Sequence, residues 1–454
     1  MTRFPDDFLW GAATSSYQIE GSPLADGAGK SIWHEYSHTP GRVDHGHTGD
    51  VACDHYNRYR SDVELMAFLG LQAYRFSIAW ARVLPEGTGR LNEAGLDFYD
   101  RLVDTLLEHG IEPMATLYHW DLPVALNDRG GWLNPDMRHW FAEYAEVMTR
   151  RLGDRVAKWA TINEPWVIMN HGFVEGVMAP GHVSRFEAAR VSYHLLQAHA
   201  SGLAAIKASG GKEAGIVVNL EKQYPHTDAE ADVRAFHRAD AYFNRHFLDP
   251  IYFGSYPDEM PEVFGDAWPE YDPADLAALK APGDFLGINY YSGFSVRHDD
   301  TAGITRAARV PDPTKTITNF GWDVNPESFR DILVWAGKRY GAPIYITENG
   351  SSFYDPPIAT ESVVEDPLRV KYLRDHLNAL ADARQAGADV RGYYAWSLFD
   401  NFEWAAGYTQ RFGIVHVNFE TQERTPKRSS LVYKEIIETN GASLEASDTS
   451  VAAG

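Results

Sequence analysis

The chain alternates short apolar runs with longer amphipathic stretches, and this alternation continues over most of its length. Apolar runs of strand length that are bounded by polar or turn-forming residues indicate buried β-strands. We predict eight strands, near positions 8–13, 73–78, 112–117, 158–163, 214–220, 284–291, 343–349 and 390–397.

The segments between these runs have the periodicity of amphipathic helices. One helix begins after Asn92, a candidate N-cap, and ends at Gly110. A second helix occupies 367–386 and ends before Gly387. Eight strands that alternate with helices predict an α/β fold, a single (β/α)8 TIM barrel. In such a barrel the active site lies at the C-terminal ends of the strands.

The domain organisation follows from the continuity of this pattern. No Gly/Ser-rich or Pro-rich linker interrupts it, so we predict one catalytic domain over 1–440. The segment 296–318 is polar and weakly periodic, which indicates a long surface loop near the cleft. The tail 441–454 is small and polar, and we predict that it is disordered.

Composition adds a clue about the ligand. Aromatic residues make up 13% of the 454 residues, with 13 Trp and 24 Tyr. Amphipathic rings in this number favour either a Trp-rich core or a sugar-binding cleft, in which rings act as stacking platforms. Composition alone leaves both interpretations open.

Net charge, cysteine content and the N-terminal sequence restrict the candidate binding partners and the candidate compartment. The formal net charge of −22 argues against binding to nucleic acid or to an anionic membrane. The single cysteine, Cys53, cannot form an internal disulfide and suits a reducing compartment. The N-terminus has no apolar signal core and no run could span a bilayer, so we predict a cytoplasmic protein. Whether it forms a homo-oligomer is left open.

Two motifs carry the candidate chemistry: Thr161–Pro165 and Ile346–Gly350. Each begins in a predicted strand and ends in a Glu beside an Asn. Paired carboxylates at strand ends are the groups that cleave glycosidic bonds, one as acid/base and the other as nucleophile. The alternative for each Glu is a solvated carboxylate at the end of a strand.

Further segments resemble one family of enzymes. The chain resembles the family 1 glycoside hydrolases, the β-glucosidase family, over nearly its whole length. The matching segments are Phe8–Gly21, Tyr74–Ser77, Leu117–Pro123, Asn163–Pro165, Gly287–Tyr291, Thr347–Gly350 and Trp396–Trp404.

The resemblance implies a role for each catalytic residue. Glu164 would be the acid/base and Glu348 the nucleophile of a reaction that retains anomeric configuration. Arg75 and Tyr291 would hold Glu348 in its charged state, and Asn289 would support them.

The resemblance also implies a sugar-binding set. The matched positions are Gln18, His119, Trp120, Asn163, Glu403 and Trp404, with Trp396 beneath the ring and Trp322 on the leaving-group side. For the His119–Trp120 pair the alternative is packing above a strand end, and for Trp396 it is a plain core position.

One position selects a branch within the resemblance. The related 6-phospho-β-glycosidases have a small hydroxyl residue where this chain has Glu403, and a following Lys and Tyr that hold the phosphate. The segment Gly407–Gly413 lacks that pattern. Glu at position 164, rather than the Gln of the thioglucoside-cleaving branch, implies ordinary O-glycosides.

We therefore expect a retaining, exo-acting β-glucosidase that acts on cello-oligosaccharides and on aryl and alkyl β-glucosides. Side activity on β-galactosides and β-fucosides is expected, because hydroxyl contacts discriminate modestly when one hydroxyl is inverted or lost. The alternatives are a non-catalytic glycan-binding relative and a 6-phospho-β-glucosidase.

No cofactor or metal is predicted, since no Gly-rich phosphate loop or dinucleotide fingerprint follows a strand. A cluster of potential ligands does occur between positions 45 and 55. Its spacing fits no ordinary zinc pattern, so we interpret it as a structural, metal-free segment. Its members are His45, His47, Cys53, Asp54 and His55.

Overall fold

A computed structural model describes residues 4–445, and they contain a closed barrel of eight parallel strands. The strands of the described residues, numbered in chain order, are β1 Leu9–Ala13, β2 Ala73–Ser77, β3 Glu112–Tyr118, β4 Lys158–Asn163, β5 Glu213–Asn219, β6 Lys222–Pro225, β7 Phe285–Tyr290, β8 Gly293–His298, β9 Ala307–Val310, β10 Ile344–Asn349, β11 Val390–Trp396, β12 Val415–Val417 and β13 Arg424–Pro426. The order around the barrel is β1-β11-β10-β7-β5-β4-β3-β2.

The eight barrel strands are the eight strands that the sequence predicts. Their observed ends differ from the predicted ends by at most one residue. The predicted TIM-barrel fold is confirmed, and the strand ends that carry the two Glu motifs lie at one rim of the barrel.

Two layers of apolar side chains hold the barrel together. Ala73, Met114, Phe285, Tyr345 and Tyr394 belong to a buried cluster in the barrel interior. A larger cluster lies between the strands and the surrounding helices. Because the strands are buried on both faces, they appear in the sequence as nearly continuous apolar runs.

Helices cover the outside of the barrel. Those of the described residues are α1 Ser16–Ile19, α2 Ile32–Ser37, α3 His55–Phe68, α4 Trp80–Val83, α5 Glu93–Glu108, α6 Val124–Asn127, α7 Met137–Leu152, α8 Pro165–Met169, α9 Arg185–Ala208, α10 Glu230–Asp240, α11 Leu248–Phe253, α12 Met260–Phe264, α13 Pro273–Ala277, α14 Pro326–Tyr340, α15 Pro367–Gln385 and α16 Arg428–Glu438. Short π-helical segments, Asn170–Val174 and Ala241–Arg245, continue α8 and α10.

The two predicted helices correspond to α5 and α15. Asn92 occupies the N-cap position of α5, but its side chain makes no capping hydrogen bond. Instead its Nδ2 donates to the carbonyl oxygen of Arg82 at 2.8 Å. The predicted capping role of Asn92 is therefore wrong, because the side chain ties the helix start to α4.

The prediction of a long surface loop over 296–318 is wrong in part. Strands β8 and β9 pair antiparallel there, and β6 adds a third strand to this small sheet. The strands are short and carry arginines, so their pattern resembles a polar loop. Arg309 lies over the ring of Phe294 at 5.0 Å, and Arg238 of α10 donates to the Thr305 carbonyl oxygen at 2.8 Å.

The predicted disordered tail begins at position 441. Within it Ala442–Glu445 form a 3-10 turn with Leu444 buried, and 446–454 lie outside the described residues. No helix within residues 4–445 is long and apolar enough to cross a membrane.

Candidate active site

A cavity of about 650 Å³ opens at the rim where the barrel strands end. Most of the predicted site residues line it: His119, Trp120, Glu164, Asn289, Tyr291, Trp322, Glu348, Trp396, Glu403 and Trp404. The remaining three, Gln18, Arg75 and Asn163, are buried behind this lining and bond to residues within it. Folding therefore brings all the predicted residues together.

Glu348 lies near the end of β10, where a register shift against β7 places it opposite Asn289. Such a bulge changes the direction of a side chain at the rim of a barrel. Arg75 donates to its Oε1 at 2.7 Å, and the Tyr291 hydroxyl donates to its Oε2 at 2.5 Å. Both carboxylate oxygens therefore have strong donors, which fix the side chain and favour its anionic form.

Gly350 completes the second Glu motif for a steric reason. A Cβ atom at this position would lie 1.7 Å from the carbonyl oxygen of Trp396. The strand that carries Glu348 can therefore leave the barrel beside β11 only with glycine at position 350.

Glu164 directly follows β4 and precedes α8, which begins at Pro165. Its backbone is left-handed, with φ of +48°. Trp120 and Trp404 also have positive φ, +79° and +49°. Non-glycine residues seldom adopt this strained conformation, and those that do cluster at functional sites. Here it directs side chains from loop positions into the cavity.

The two glutamates have different electrostatic surroundings. Burial raises the pKa of Glu164 well above its usual range, and the negative charge of Glu348 raises it further. The hydrogen bond from Asn289 lowers this pKa, but by less than the other two effects raise it. Burial also raises the pKa of Glu348, but the charge of Arg75 and the bond from Tyr291 oppose that rise. Glu348 therefore ionises first, and Glu164 keeps its proton to higher pH.

Arg75 organises the base of the site. It is fully buried on β2, where its Nη2 donates to the Asn163 Oδ1 at 2.7 Å and its Nε to the Thr116 Oγ1 at 3.1 Å. Thr347 in turn donates to the Asn289 Oδ1 at 2.7 Å. Thr116 and Thr347 were not predicted as site residues, because nothing in a strand pattern shows which threonines bond the buried Arg75 or Asn289 side chains across the barrel.

His119 is positioned as a hydrogen-bond donor to a ligand. Its Nε2 accepts from the Asn163 Nδ2 at 3.2 Å, so the proton of the neutral ring sits on Nδ1. Burial and the charge of Arg75 lower the pKa of His119 well below its usual range. Within the described residues its Nδ1 is buried without a partner, which leaves an N–H free to donate to a ligand.

A second polar group lies at the start of α1 and in the loop after β11. Gln18 Nε2 donates to the Glu403 Oε2 at 3.2 Å and to the Asn401 Oδ1 at 3.1 Å. Ser15 Oγ donates to the Gln18 Oε1 at 2.6 Å. Asn401 was not predicted as a site residue, although it lies within Trp396–Trp404, one of the segments that match the resembled family.

The predicted tryptophans form the walls of the cavity. Trp396 is stacked with the His119 ring, with centroids 5.9 Å apart and planes 15° apart. It belongs to the barrel-interior cluster and also lines the cavity, so it has a core position, and its role as a platform beneath a sugar ring stays a prediction. The ring centroids of Trp120 and Trp404 are 4.7 Å apart. Trp322 stacks on Phe320, also with ring centroids 4.7 Å apart.

The outer part of the cavity contains residues that the sequence analysis did not single out. The β8–β9 hairpin contributes Phe294, Ile304 and Arg309, and α8 contributes Trp166 on the opposite side. The sequence pattern did not predict the β8–β9 hairpin, so the residues that it contributes to the cavity wall could not be named in advance.

The potential ligands between positions 45 and 55 have separate partners. His47 Nδ1 accepts from the Tyr408 amide at 3.1 Å, and His55 Nδ1 bonds Asp62 at 2.8 Å. Cys53 Sγ donates to the Asp400 carbonyl oxygen at 3.1 Å. Burial holds the pKa of the Cys53 thiol far above its usual range.

Comparison with known proteins is consistent with this geometry. The family model "Glycosyl hydrolase family 1" matches residues 1–442. Beta-glucosidase A of Thermotoga maritima is 48% identical, over 97% of this chain and 98% of its own. The 1,4-beta-D-glucan glucohydrolase of Thermotoga neapolitana is 47% identical, over 97% and 99%. A solved structure of the T. maritima β-glucosidase in complex with deoxynojirimycin has a TM-score of 0.94 at 47% identity, and the match covers 97% of this chain and 100% of that one.

Proposed function

Because this chain belongs to glycosyl hydrolase family 1, we propose that it hydrolyses terminal, non-reducing β-D-glucosyl residues by double displacement. The substrates would be cello-oligosaccharides and aryl and alkyl β-glucosides. One observation carries this proposal: Glu164 and Glu348 line the same cavity in different electrostatic surroundings. That difference is what a retaining glycosidase requires of its two carboxyl groups.

In the first step the Glu348 carboxylate attacks the anomeric carbon and forms a glycosyl ester as the glycosidic C–O bond breaks. Glu164 gives its proton to the departing oxygen. Esterification removes the negative charge of Glu348, which is one cause of the raised pKa of Glu164. Glu164 can then ionise more readily and accept a proton from water. That water attacks the anomeric carbon and releases Glu348.

The polar lining suits a sugar with free hydroxyls. His119 and Glu403 offer the imidazole and carboxyl groups that bond hydroxyls, with Gln18 bonded to Glu403 from behind the lining, and the Trp396 ring suits the C–H face of a pyranose. Among the described residues that line the cavity, Arg309 is the one arginine or lysine, and Asp323 pairs with it at 2.8 Å. This arrangement favours a free sugar over a 6-phosphosugar.

The test is an assay of wild type and Glu348→Gly on nitrophenyl β-glucoside, with and without azide. We expect an active wild type, an inactive variant, and rescue of the variant by azide that yields the α-glucosyl azide. An inactive wild type on glucoside, galactoside, fucoside and 6-phosphoglucoside would favour the glycan-binding alternative. Turnover of the 6-phosphoglucoside alone would favour the phosphoglycosidase. The cytoplasmic location stays a prediction.

A further inference from the structure

A cluster of three potential metal ligands lies on the surface away from the cavity lining. His34 and His38 are one turn apart at helix α2, and Asp50 faces them from the following loop. His38 Nε2 is 3.1 Å from the Asp50 Oδ2, and His34 Nδ1 is 3.6 Å from the Asp50 Oδ1. One ligand atom from each residue lies within 4.8 Å of the others.

The tautomer of His38 is set by the helix. Its Nδ1 lies 2.6 Å from the carbonyl oxygen of His34, which can only accept, so Nδ1 carries a proton. In the neutral ring Nε2 then presents a lone pair to the Asp50 carboxylate. Two acceptors that face each other at 3.1 Å repel unless a cation or a second proton lies between them. A backbone carbonyl on the far nitrogen is the usual support of a metal-binding histidine.

His34 contributes an independent observation. Its Nδ1 faces Asp50 and is buried without a hydrogen-bond partner within the described residues. The two histidine nitrogens thus face the same carboxylate, each from the side of a different oxygen.

We propose that His34, His38 and Asp50 bind a divalent transition-metal ion, of which Zn²⁺ is the best match. Two histidines spaced i, i+4 with a carboxylate are a common zinc donor set. Tetrahedral zinc, with bonds of about 2.0–2.1 Å, places ligand atoms about 3.3 Å apart. The separations of His38 Nε2 from the Asp50 Oδ2, 3.1 Å, and of His34 Nδ1 from the Asp50 Oδ1, 3.6 Å, are close to that distance. Water would complete the coordination.

The ion would join helix α2 to the loop that carries Asp50. Trp33 of the same helix contacts the ring of Trp404 at 4.6 Å, so the bound ion would also stiffen the support of a sugar-binding residue. Lys30 lies nearby but is 3.9 Å from Glu35, which reduces its repulsion of a cation.

The test is calorimetric titration of the full chain, without a polyhistidine tag and stripped of metal, with ZnCl₂. We expect one ion per chain and a higher melting temperature with zinc. His38→Gln and Asp50→Asn should each weaken binding by about tenfold or more. His182→Gln is the matched control, because His182 is as exposed as His38, 41%, and pairs with a single carboxylate, Glu187.

Cobalt supplies a second measurement. Co²⁺ at the site should give a visible absorption spectrum typical of tetrahedral N/O coordination, which His38→Gln removes and His182→Gln leaves unchanged. Equal zinc affinity in wild type and His38→Gln would overturn the proposal. So would wild-type binding weaker than about 1 mM, since the contact of His38 with Asp50 is then an ordinary surface pair.

Discussion

Glu164, the proposed acid/base, differs from Glu348, the proposed nucleophile, in its hydrogen-bond donors. Glu348 receives a guanidinium and a phenol, whereas Glu164 receives the amide of Asn289. A neutral amide stabilises a carboxylate less than a cation does, so the proton of the pair resides on Glu164. Its loss should therefore matter most where the leaving group needs a proton.

Glu164→Gln tests this directly. With alkyl glucosides, whose leaving groups are poor, we expect kcat/KM to fall by about 10²–10⁴. With a dinitrophenyl glucoside the glycosylation step needs no proton, so its rate should change far less. Pre-steady-state measurement of phenol release separates that step from the slowed deglycosylation.

The control is Glu175→Gln, which removes another carboxylate from the cavity wall, one bonded to His171. We expect it to leave the ratio between the two substrates unchanged. Equal losses on both substrates in Glu164→Gln would refute the acid assignment.

The charge of Glu403 determines how strongly the site can repel a 6-phosphate. Burial and the charge of Glu348 raise the pKa of Glu403 to about 8, against one bond from Gln18. Below that pH the side chain is largely neutral before substrate binds. Charge repulsion between Glu403 and a 6-phosphate is then weak at neutral pH, and exclusion rests on volume and on the lack of a basic partner.

Two substitutions separate these causes. Glu403→Ser makes room, and we expect it to weaken binding of glucose and to improve kcat/KM for a 6-phosphoglucoside. Glu403→Gln keeps the volume and removes only the charge, so at pH 6 it should leave exclusion of the phosphosugar intact. The measurement is kcat/KM for both substrates at pH 6. Relaxed exclusion in Glu403→Gln would show that charge is the cause.

At the level of elements, the barrel strands were predictable and the small sheet was not. A strand covered on both faces must be apolar throughout, so its length can be read from the sequence. Strands β8 and β9 are half-exposed and owe their position to tertiary contacts such as Arg238 with Thr305. Such contacts join positions far apart in sequence and leave no local pattern.

The residues of the candidate site also divide into those that the sequence pattern identified and those that it did not. Glu164, Glu348 and their motif neighbours were identifiable because each ends an apolar strand. Thr116 and Asn401 were not, because each acts through a partner on another strand or loop, Arg75 or Gln18. Local sequence cannot show which polar residues face each other after the barrel closes.

Asn401 supports the loop after β11. Its Nδ2 donates to the Ser397 Oγ and the Phe399 carbonyl oxygen, both at 3.1 Å, while its Oδ1 accepts from Gln18. We expect Asn401→Ala to lower kcat/KM for a β-glucoside by about tenfold, because Gln18 loses one of its partners. Its pH profile should stay unchanged, because the Glu164–Glu348 pair is not altered.

The comparison is Asn57→Ala, an exposed asparagine whose Nδ2 bonds Asp54 at 2.6 Å. Its kinetics should match those of wild type. If Asn401→Ala retains full kcat/KM, Asn401 does not position Gln18.

A buried ion pair joins the loops that follow β10 and β11. Lys427 Nζ lies 2.7 Å from the Asp355 Oδ2 and 2.6 Å from the Asp400 Oδ1, and all three side chains are buried. Lys427→Met would remove the positive charge that Asp355 and Asp400 share. We expect the free energy of unfolding to fall by about 3–5 kcal/mol, measured by urea denaturation.

Lys371→Met is the matched case at the surface, where Lys371 pairs with Asp375 at 2.7 Å and is 70% exposed. We expect a change of about 1 kcal/mol or less. Equal effects of the two substitutions would mean that the buried pair contributes nothing beyond a surface pair.

For the whole molecule, stability should depend on pH through buried acids. Asp121 is 2% exposed, and burial raises its pKa to about 7, against a bond of 2.8 Å from Ser16. The folded chain therefore holds this proton at pH values where the unfolded chain has lost it. The stabilisation from Asp121 is complete below about pH 4, declines as pH rises, and is lost above about pH 7. The net charge of −22 adds self-repulsion in the same direction as carboxylates ionise.

Asp121→Asn isolates the contribution of this one proton, because asparagine resembles the protonated acid and does not ionise. Between pH 5.5 and pH 8 the wild type should lose about 2 kcal/mol more unfolding free energy than the variant. Urea denaturation of both proteins at both pH values measures the difference. The exposed Asp128, substituted to Asn, should follow the wild type. If Asp121→Asn has the pH dependence of wild type, the buried carboxyl is not what couples folding to pH, and the net charge remains as the cause.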